Sequence, residues 1–397
     1  MAQSYRAEKD FWGATIMRVV ILRRSLGASF SMDVYADGLV AGLKVARPEW
    51  EIVELAPKPY LPEQKNSSWS TGLWKYYERY WRYPLTVKQE KADLFHVIDH
   101  SDGHLVYWLK KTNRPIAVTC HDLINLVNPE NLDNQARIPA ISMAVWKYAV
   151  RGLKKADRIV AVSAHTAKDI VQQLHIKKEQ IIIVPDAVES LFHPLVPDKV
   201  AFFRSQHRIL AETMCLLHVG SNHPRKNVST VLKVLDALKT QGLSIHLWKV
   251  GADFTNEQKI FIQTHSLETS VTYLGKPDKQ TLVEIYNAAD VLMSPSHYEG
   301  FGMTVIEAMA CGTPVVAANV TSLPEVVGDA GVLLKPTDVQ AMVEVVWHLY
   351  QDSNYRQSLR EKGLNRAKLF TWEATAKLLA TEYEKLIAQK AEISKFN

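Results

Sequence analysis

Between Ser294 and Pro314 the chain sets two carboxylates, Glu299 and Glu307, on either side of a Gly-Phe-Gly turn at 300–302. An apolar strand pattern, Val291-Leu292-Met293, leads into the turn, and helix-forming sequence leads out of it. A strand, a glycine turn and a helix start together make an anion site, because the first N–H groups of a helix lack acceptors and its dipole favours negative charge there. Glu307 falls one turn into the helix, on the same side as Thr304, and could accept hydrogen bonds from a pair of sugar hydroxyls. Glu299 stays in the loop, where a carboxylate can face a bound substrate. The competing reading is a plain βαβ unit whose Gly300 and Gly302 only turn the chain. The two carboxylates, together with the Cys311-Gly312-Thr313-Pro314-Val315-Val316 turn into another strand, weigh against it.

At 397 residues the chain is long for a single core, so two domains are expected. Its 47% hydrophobic and 22% charged content are those of a globular protein, and no run of eighteen apolar residues predicts a membrane span. The first sixteen residues, with Glu8 and Asp10 and no apolar core, do not read as a secretory signal. Cys120, Cys215 and Cys311 lie far apart without metal spacing and read as buried free thiols in a reducing, cytoplasmic setting. Residues 1–200 hold 27 Lys and Arg against 22 Asp and Glu, whereas residues 201–397 balance at 20 each. An excess of five is too small to imply nucleic acid, but it favours an acidic or membrane-borne partner on the N-terminal half.

Short apolar strands alternate with helical patterns along the whole chain, which predicts parallel sheets flanked by helices. Strands are expected near 17–22, 51–55, 94–98, 115–120, 158–162 and 180–184, then near 214–219, 244–250, 270–274, 291–294, 314–317 and 331–334. Between the two sets, Pro194 to Arg208 is polar and strand-poor and reads as the linker. Two α/β halves imply a cleft between them as the place for a ligand.

Several loops carry further chemistry. Gly220-Ser221-Asn222-His223-Pro224-Arg225-Lys226-Asn227 follows a strand and precedes a helix, so Arg225 and Lys226 stand near a second anion-favouring helix start. A solvated basic loop is the alternative, and the recurrence of the same geometry at Gly302 favours a diphosphate site. Val118-Thr119-Cys120-His121-Asp122-Leu123 brings His121 and Asp122 to the C-terminal edge of a strand, where open sheets bind ligands; a structural cap is the alternative. His96, His100 and His104 are four apart, but a strand at 94–98 scatters them. A loop of His100, Ser101 and Asp102 facing an acceptor is preferred to a metal site. The loop after the first strand, Ser25 to Ser29, lacks Gly-x-Gly-x-x-Gly, which counts against a dinucleotide cofactor. On a helix, Trp74, Tyr77 and Trp81 share one face. Packing of that face on the sheet is the preferred reading, and stacking on a glycan or lying at a membrane surface is the alternative.

The Ser294–Pro314 segment resembles the Glu-x7-Glu signature of the family 4 retaining glycosyltransferases, and the likeness continues through Ser322–Gly331. The Gly220 loop, with four residues between Gly220 and Arg225-Lys226-Asn227, is similar to that family's glycine-to-Arg-Lys-Asn loop, with Ser221 where many members carry arginine, and 119–123 resembles its Thr-x-His-Asp-Leu motif. The resemblance runs from about Met17 to the last helix and implies a GT-B fold: two Rossmann-like α/β domains, at 17–195 and 209–370, facing across a cleft. A helix at 371–391, beginning at Phe370-Thr371-Trp372, would cross back to the first domain. It implies a nucleotide-diphosphate sugar donor, UDP- or GDP-linked, and a glycan or lipid-linked saccharide acceptor. No metal or cofactor is implied. The resemblance sets Glu299 and His121 at the transferred sugar, and Arg225, Lys226, Gly27 and the amides of Gly302, Met303 and Thr304 at the diphosphate. Glu307 falls on the ribose, and Leu274, Gly275 and Lys276 beside the base. Cytoplasmic location, with peripheral contact at the inner membrane face through the first domain, completes the expectation. An epimerase, a phosphorylase or a non-catalytic scaffold of the same fold are the rival classes.

Overall fold

The structure is a computed structural model that describes residues 17–58, 74–127 and 140–395. Among the described residues the chain divides into two compact units: 17–58, 74–123, 140–185 and 372–395 form the first, and 124–127 and 186–371 the second.

In the first unit, β1 (Arg18–Leu22), β2 (Glu51–Leu55), β3 (Leu94–Val97), β4 (Ile116–Cys120), β5 (Arg158–Ala161) and β6 (Ile181–Ile183) make one sheet in the order β2-β1-β3-β4-β5-β6. Every pairing is parallel. Helices cover such a sheet on both faces, which is why β3 and β4 are buried along their whole length. The longer helices here are α1 (Phe30–Ala46), α2 (Ala140–Arg151) and α3 (Ala164–Leu174).

The second unit repeats the scheme with β7 (Met214–Gly220), β8 (Ile245–Gly251), β9 (Val271–Tyr273), β10 (Val291–Ser294), β11 (Val315–Ala318) and β12 (Val332–Leu334). Its order is β12-β11-β10-β7-β8-β9, again all parallel. Its longer helices are α4 (Pro197–Gln206), α5 (Val228–Thr240), α6 (Asn256–Thr264), α7 (Lys279–Ala288), α8 (Met303–Cys311), α9 (Val339–Gln351) and α10 (Ser353–Ala367). The strand order turns back between β7 and β10, so the loops after these two neighbours diverge and leave a crevice at their carboxyl ends. Cys120, Cys215 and Cys311 are buried free thiols.

The final helix, α11 (Trp372–Lys395), belongs to the first unit. Ala376, Leu379, Ala380, Tyr383 and Leu386 recur at helical spacing and enter one core with Leu39, Val40 and Leu43 of α1 and Val19 and Ile21 of β1. The Tyr383 hydroxyl is hydrogen-bonded to His96 Nδ1 at 2.5 Å, and His96 Nε2 lies 2.7 Å from Thr119 Oγ1. Burial pushes the His96 imidazole down to about 3, so it is a neutral link between α11 and the sheet. Among the described residues no group of three His, Cys, Asp or Glu side chains is placed to hold a metal, and no helix is long and apolar enough to cross a membrane.

Two expectations from the sequence are corrected. Residues 194–208 are not a linker: Pro197, tolerated in the first helical turn, begins α4 inside the second unit. Phe203 of α4 is buried, and Arg204 donates to the Ala288 carbonyl and pairs with Asp290 at 2.9 Å. The Trp74–Tyr83 stretch is helical, but Tyr77 and Trp81 are 54% and 58% exposed and Trp74 is exposed as well. Glu78 and Tyr83 turn inward instead, because a turn of π-helix at Glu78–Arg82 rotates the faces.

The close approach of α1 and α11 depends on glycine. A Cβ on Gly42 would lie 2.5 Å from the Trp372 carbonyl oxygen and 2.9 Å from Ala376 Cβ. Gly→Ala within a helix ordinarily stabilises by roughly 0.5–1 kcal/mol. At Gly42 the overlap reverses that sign, and G42A is expected to lose about 1–3 kcal/mol, read from the urea midpoint.

Candidate active site

The crevice of the second sheet gathers the basic loop after β7 and the acidic loop after β10. Pro224–Lys226 form a single helical turn, and Asn227 takes a left-handed conformation at φ 54°. The Asn227 amide fixes that turn by donating to the carbonyls of Pro295 and Pro336. Lys226 Nζ and Arg225 Nη1 then reach Glu299 Oε1 at 2.6 Å and Oε2 at 2.8 Å. Ser296 Oγ donates to Glu299 Oε1 at 2.7 Å, and Arg225 Nη1 also donates to the Tyr298 carbonyl at 3.0 Å.

Glu299 is 6% exposed. Burial alone would raise its pKa, yet the two cations and their hydrogen bonds outweigh that and hold it down at about 2. Its backbone is fixed as well: the N–H donates to Thr321 Oγ1, and the carbonyl accepts from Ser322 Oγ at 2.9 Å. The Phe301 carbonyl lies 2.8 Å from the same Ser322 Oγ, so this one hydroxyl proton is shared between both ends of the turn. Ser296, Thr321 and Ser322 were not singled out in the sequence, since hydroxyls in loops carry no spacing signal.

Gly302 begins α8 at φ 116°, a conformation that side chains other than glycine's rarely adopt. The N–H groups of Met303 and Thr304 belong to the first turn of α8, where a helix supplies no acceptor. Glu307, one turn on, accepts from the Tyr286 hydroxyl at 2.7 Å. Burial dominates its titration and, with Glu189 adding like charge, raises it to about 7. The two glutamates therefore diverge: one is firmly ionised, and the other titrates near neutrality.

Leu274 and Gly275 tie the β9 end to β8, because Leu274 N–H donates to the Lys249 carbonyl and the Gly275 carbonyl accepts from Gly251 N–H. Lys276 follows, exposed. These three and the Glu299 cluster all belong to the second unit.

The first unit holds the remaining candidates. His121 Nε2 lies 2.9 Å from the Ile98 carbonyl, and its ring meets the edge of Tyr35 with centroids 4.7 Å apart. Asp102 is buried and pairs with Arg79 at 2.6 Å, Ser101 supplies Arg79 with a carbonyl and a hydroxyl, and His100 packs edge-on to Trp146. Gly27, in the loop after β1, gives its N–H to Asp33 Oδ2 at 3.0 Å. A cavity of about 410 Å³ in this unit is lined by Arg24 to Ala28, Pro57, Lys58, Trp74, Lys75, Glu78, Arg79 and Asp102. Gly27 and Asp102 thus share a cavity, whereas His100, Ser101 and His121 are not among its lining residues.

Comparison with known proteins gives two family matches. The profile of the group 1 glycosyl transferases covers residues 200–366, and that of glycosyltransferase family 4 covers residues 34–190. The chain is similar to the O-antigen chain mannosyltransferase B of Escherichia coli, 33% identical over 224 residues, 56% of this chain and 58% of the relative. A serotype-specific mannosyltransferase of Escherichia coli is 25% identical over 321 residues, 78% of this chain and 38% of the relative. The chain therefore spans less than two thirds of the length of these relatives. Among solved structures, the sucrose-phosphate synthase of Thermosynechococcus elongatus superposes with a TM-score of 0.72 at 23% identity, over 94% of this chain and all of that one. The architecture is that of the GT-B fold.

The raised Glu307 carboxyl has a consequence for stability. The folded state holds this proton up to about pH 7, while an unfolded glutamate releases it near its ordinary pKa of 4.5, so its contribution to stability falls as pH rises across that interval. E307Q removes this dependence. The melting temperature of E307Q relative to the parent is expected to rise from pH 5 to pH 8, as read by calorimetry.

Proposed function

The chain belongs to the family 4 glycosyltransferases, and from that premise we propose that it transfers a hexosyl group from a nucleotide-diphosphate sugar to a saccharide hydroxyl. The acceptor is a glycan or a lipid-linked saccharide, and the setting is polysaccharide or cell-envelope glycan synthesis. Mannose is the favoured hexose, since the two Escherichia coli relatives are named as mannosyltransferases. The observation that carries the reading is the cluster of Lys226, Arg225 and Glu299 at the carboxyl ends of β7 and β10, beside the start of α8.

In this reading the diphosphate lies against Lys226, Arg225 and the amides of Gly302, Met303 and Thr304. Lys226 commits one of its ammonium protons to Glu299, and the others are available to phosphate oxygens. These fixed charges stabilise the departing diphosphate, so the transfer needs no metal. Glu307 accepts from the ribose hydroxyls, and Leu274, Gly275 and Lys276 flank the base. Transfer retains configuration: the acceptor oxygen attacks the anomeric carbon on the face the diphosphate leaves, the bond to the diphosphate breaks, and a diphosphate oxygen takes the acceptor proton. Glu299 stays ionised and supports positive charge developing on the sugar ring. On the first unit, His121 is assigned to the sugar, and Gly27 to the donor phosphates on resemblance alone. The cavity bounded in part by Asp102 is assigned to the acceptor, with His100 and Ser101 behind it. The exposed Trp74, Tyr77 and Trp81, with Lys75 in the same helix, supply a surface for a lipid-linked acceptor at the inner membrane face.

A thermal-shift screen against UDP, GDP, ADP and CDP, with EDTA present and NAD as control, tests the donor site. One diphosphate should raise the melting temperature. No shift with any of them, repeated with magnesium, overturns the reading in favour of a scaffold. K226A is expected to lose a charge-assisted bond of about 1.5–3 kcal/mol, a fall of roughly 10- to 150-fold in kcat/KM. An unchanged kcat/KM in folded K226A removes Lys226 from the site. E299Q should lower kcat while diphosphate affinity holds or improves, because the amide no longer neutralises the two cations. If affinity alone drops, Glu299 is a binding group.

A further inference from the structure

Lys249 lies on β8, outside both loops of the candidate site, and its side chain is fully buried. Among the described residues no carboxylate is hydrogen-bonded to it. Its Nζ donates to three backbone carbonyls, those of Gly220 at 2.8 Å, Val250 at 3.0 Å and Ala252 at 2.9 Å. An ammonium has three donors, so this one is saturated, and only by neutral dipoles. Burying a charge in that way costs several kcal/mol, and strand neighbours such as Leu247 fill equivalent space without that cost. A lysine here needs another explanation than packing.

Its position supplies one. β7 and β8 run in register, with His218 beside Lys249 and Gly220 beside Gly251. Gly220 is the last residue of β7 and the first of the basic loop, so Lys249 holds that loop at its root. The two strand ends meet closely there: a Cβ on Gly251 would lie 2.3 Å from the Gly220 carbonyl oxygen. On the other side of the same residue, a Cβ on Gly220 would be 3.4 Å from Lys226 Cε. Gly220 is thus packed between the Lys226 stem and the carbonyls that Lys249 gathers.

We propose that Lys249 is a positioning residue for the donor diphosphate: its ammonium pins the root of the Gly220–Asn227 loop, and its charge adds to the positive field that Arg225 and Lys226 present. This rests on reading that loop as the diphosphate site. The groups that face Lys249 are Lys226, which opposes its charge, Asp253, which favours it, and His218, which is neutral because burial and the Lys249 charge hold it down at about 3. Glu299 lies beyond Lys226 and favours positive charge in the same region. Burial dominates and brings Lys249 down to about 8. Above that pH the side chain is an amine with two donors for three carbonyls, and both the tie and the field weaken. A bound diphosphate favours the ammonium, so diphosphate binding draws on this proton.

The test is calorimetric binding of whichever of UDP, GDP, ADP and CDP the parent protein takes, from pH 7 to pH 9, above the phosphate titration near 6. The parent is expected to lose several-fold in affinity as pH passes 8. K249M, which keeps the length and removes the charge, is expected to bind roughly tenfold more weakly at pH 7 and to show no further loss up to pH 9. Folded K249M that binds like the parent, or that keeps the alkaline loss, overturns the proposal. If K249M does not fold, the parent's own profile decides: a flat affinity through pH 8 overturns it, and a loss there supports it. K226A separates the two readings. Weak binding by K226A with normal binding by K249M removes only the role of Lys249, whereas parent-like binding by K226A removes the diphosphate reading with it.

Discussion

The parallel pairing of β7 with β10 is the constraint from which the candidate site follows. These two strands are neighbours in the sheet, but the paired Val291 and Leu216 stand 75 positions apart in sequence with β8 and β9 between them, so their outgoing loops leave in different directions. One loop carries cations and the other a carboxylate, and only the sheet brings them within hydrogen-bond distance. Hydrogen bonds donated by the Asn227 amide and Ser322, and one that Thr321 accepts from the Glu299 N–H, then remove the freedom that two loops would otherwise keep. The site is thus held by two sets of bonds, the ion pairs of Glu299 and the backbone carbonyls and hydroxyls around them.

That division explains what the sequence disclosed and what it hid. The strands were legible because parallel strands buried on both faces read as short apolar runs, and β3, β4 and β10 are buried at every position. The two acidic positions and the Arg-Lys pair were legible because glycines at 220, 300 and 302 mark the turns that present them. α4 was hidden because half of it is polar and Phe203 is its one buried side chain, so its apolar periodicity is faint and its hold on the second unit rests on Phe203 and Arg204. The outward turn of Trp74, Tyr77 and Trp81 was hidden because a π-turn shifts the register that α-helical spacing assumes. His96 showed only as one of three histidines at regular spacing; its bonds to Tyr383 and Thr119 join residues 287 and 23 positions away.

Glu299 and Glu307 show why residue type alone does not assign a role. Both are carboxylates beside the same helix start, and both lose hydration. Lys226 and Arg225 give Glu299 two cations in direct contact, and it is ionised well below the usual range. Burial pushes Glu307 toward neutrality and the like charge of Glu189 adds to it, because the single neutral hydroxyl that Tyr286 donates favours the ionised form too weakly to offset them. Environments that drive two like groups apart are how one fold separates a permanent charge from a group that exchanges protons with its ligand.

The same argument extends to the cations. Lys226, Arg225 and Lys249 crowd one end of β7 and β8 with Glu299 as the nearby acid, and Lys226 makes the Lys249 charge less favourable. Such an arrangement is electrostatically uneven by itself. Under the proposed reading a diphosphate supplies negative charge, which offsets the repulsion that Lys226 exerts on Lys249 and favours the Lys249 ammonium. The strain of the unliganded cluster then becomes selectivity for an anion, because a neutral sugar cannot provide that relief.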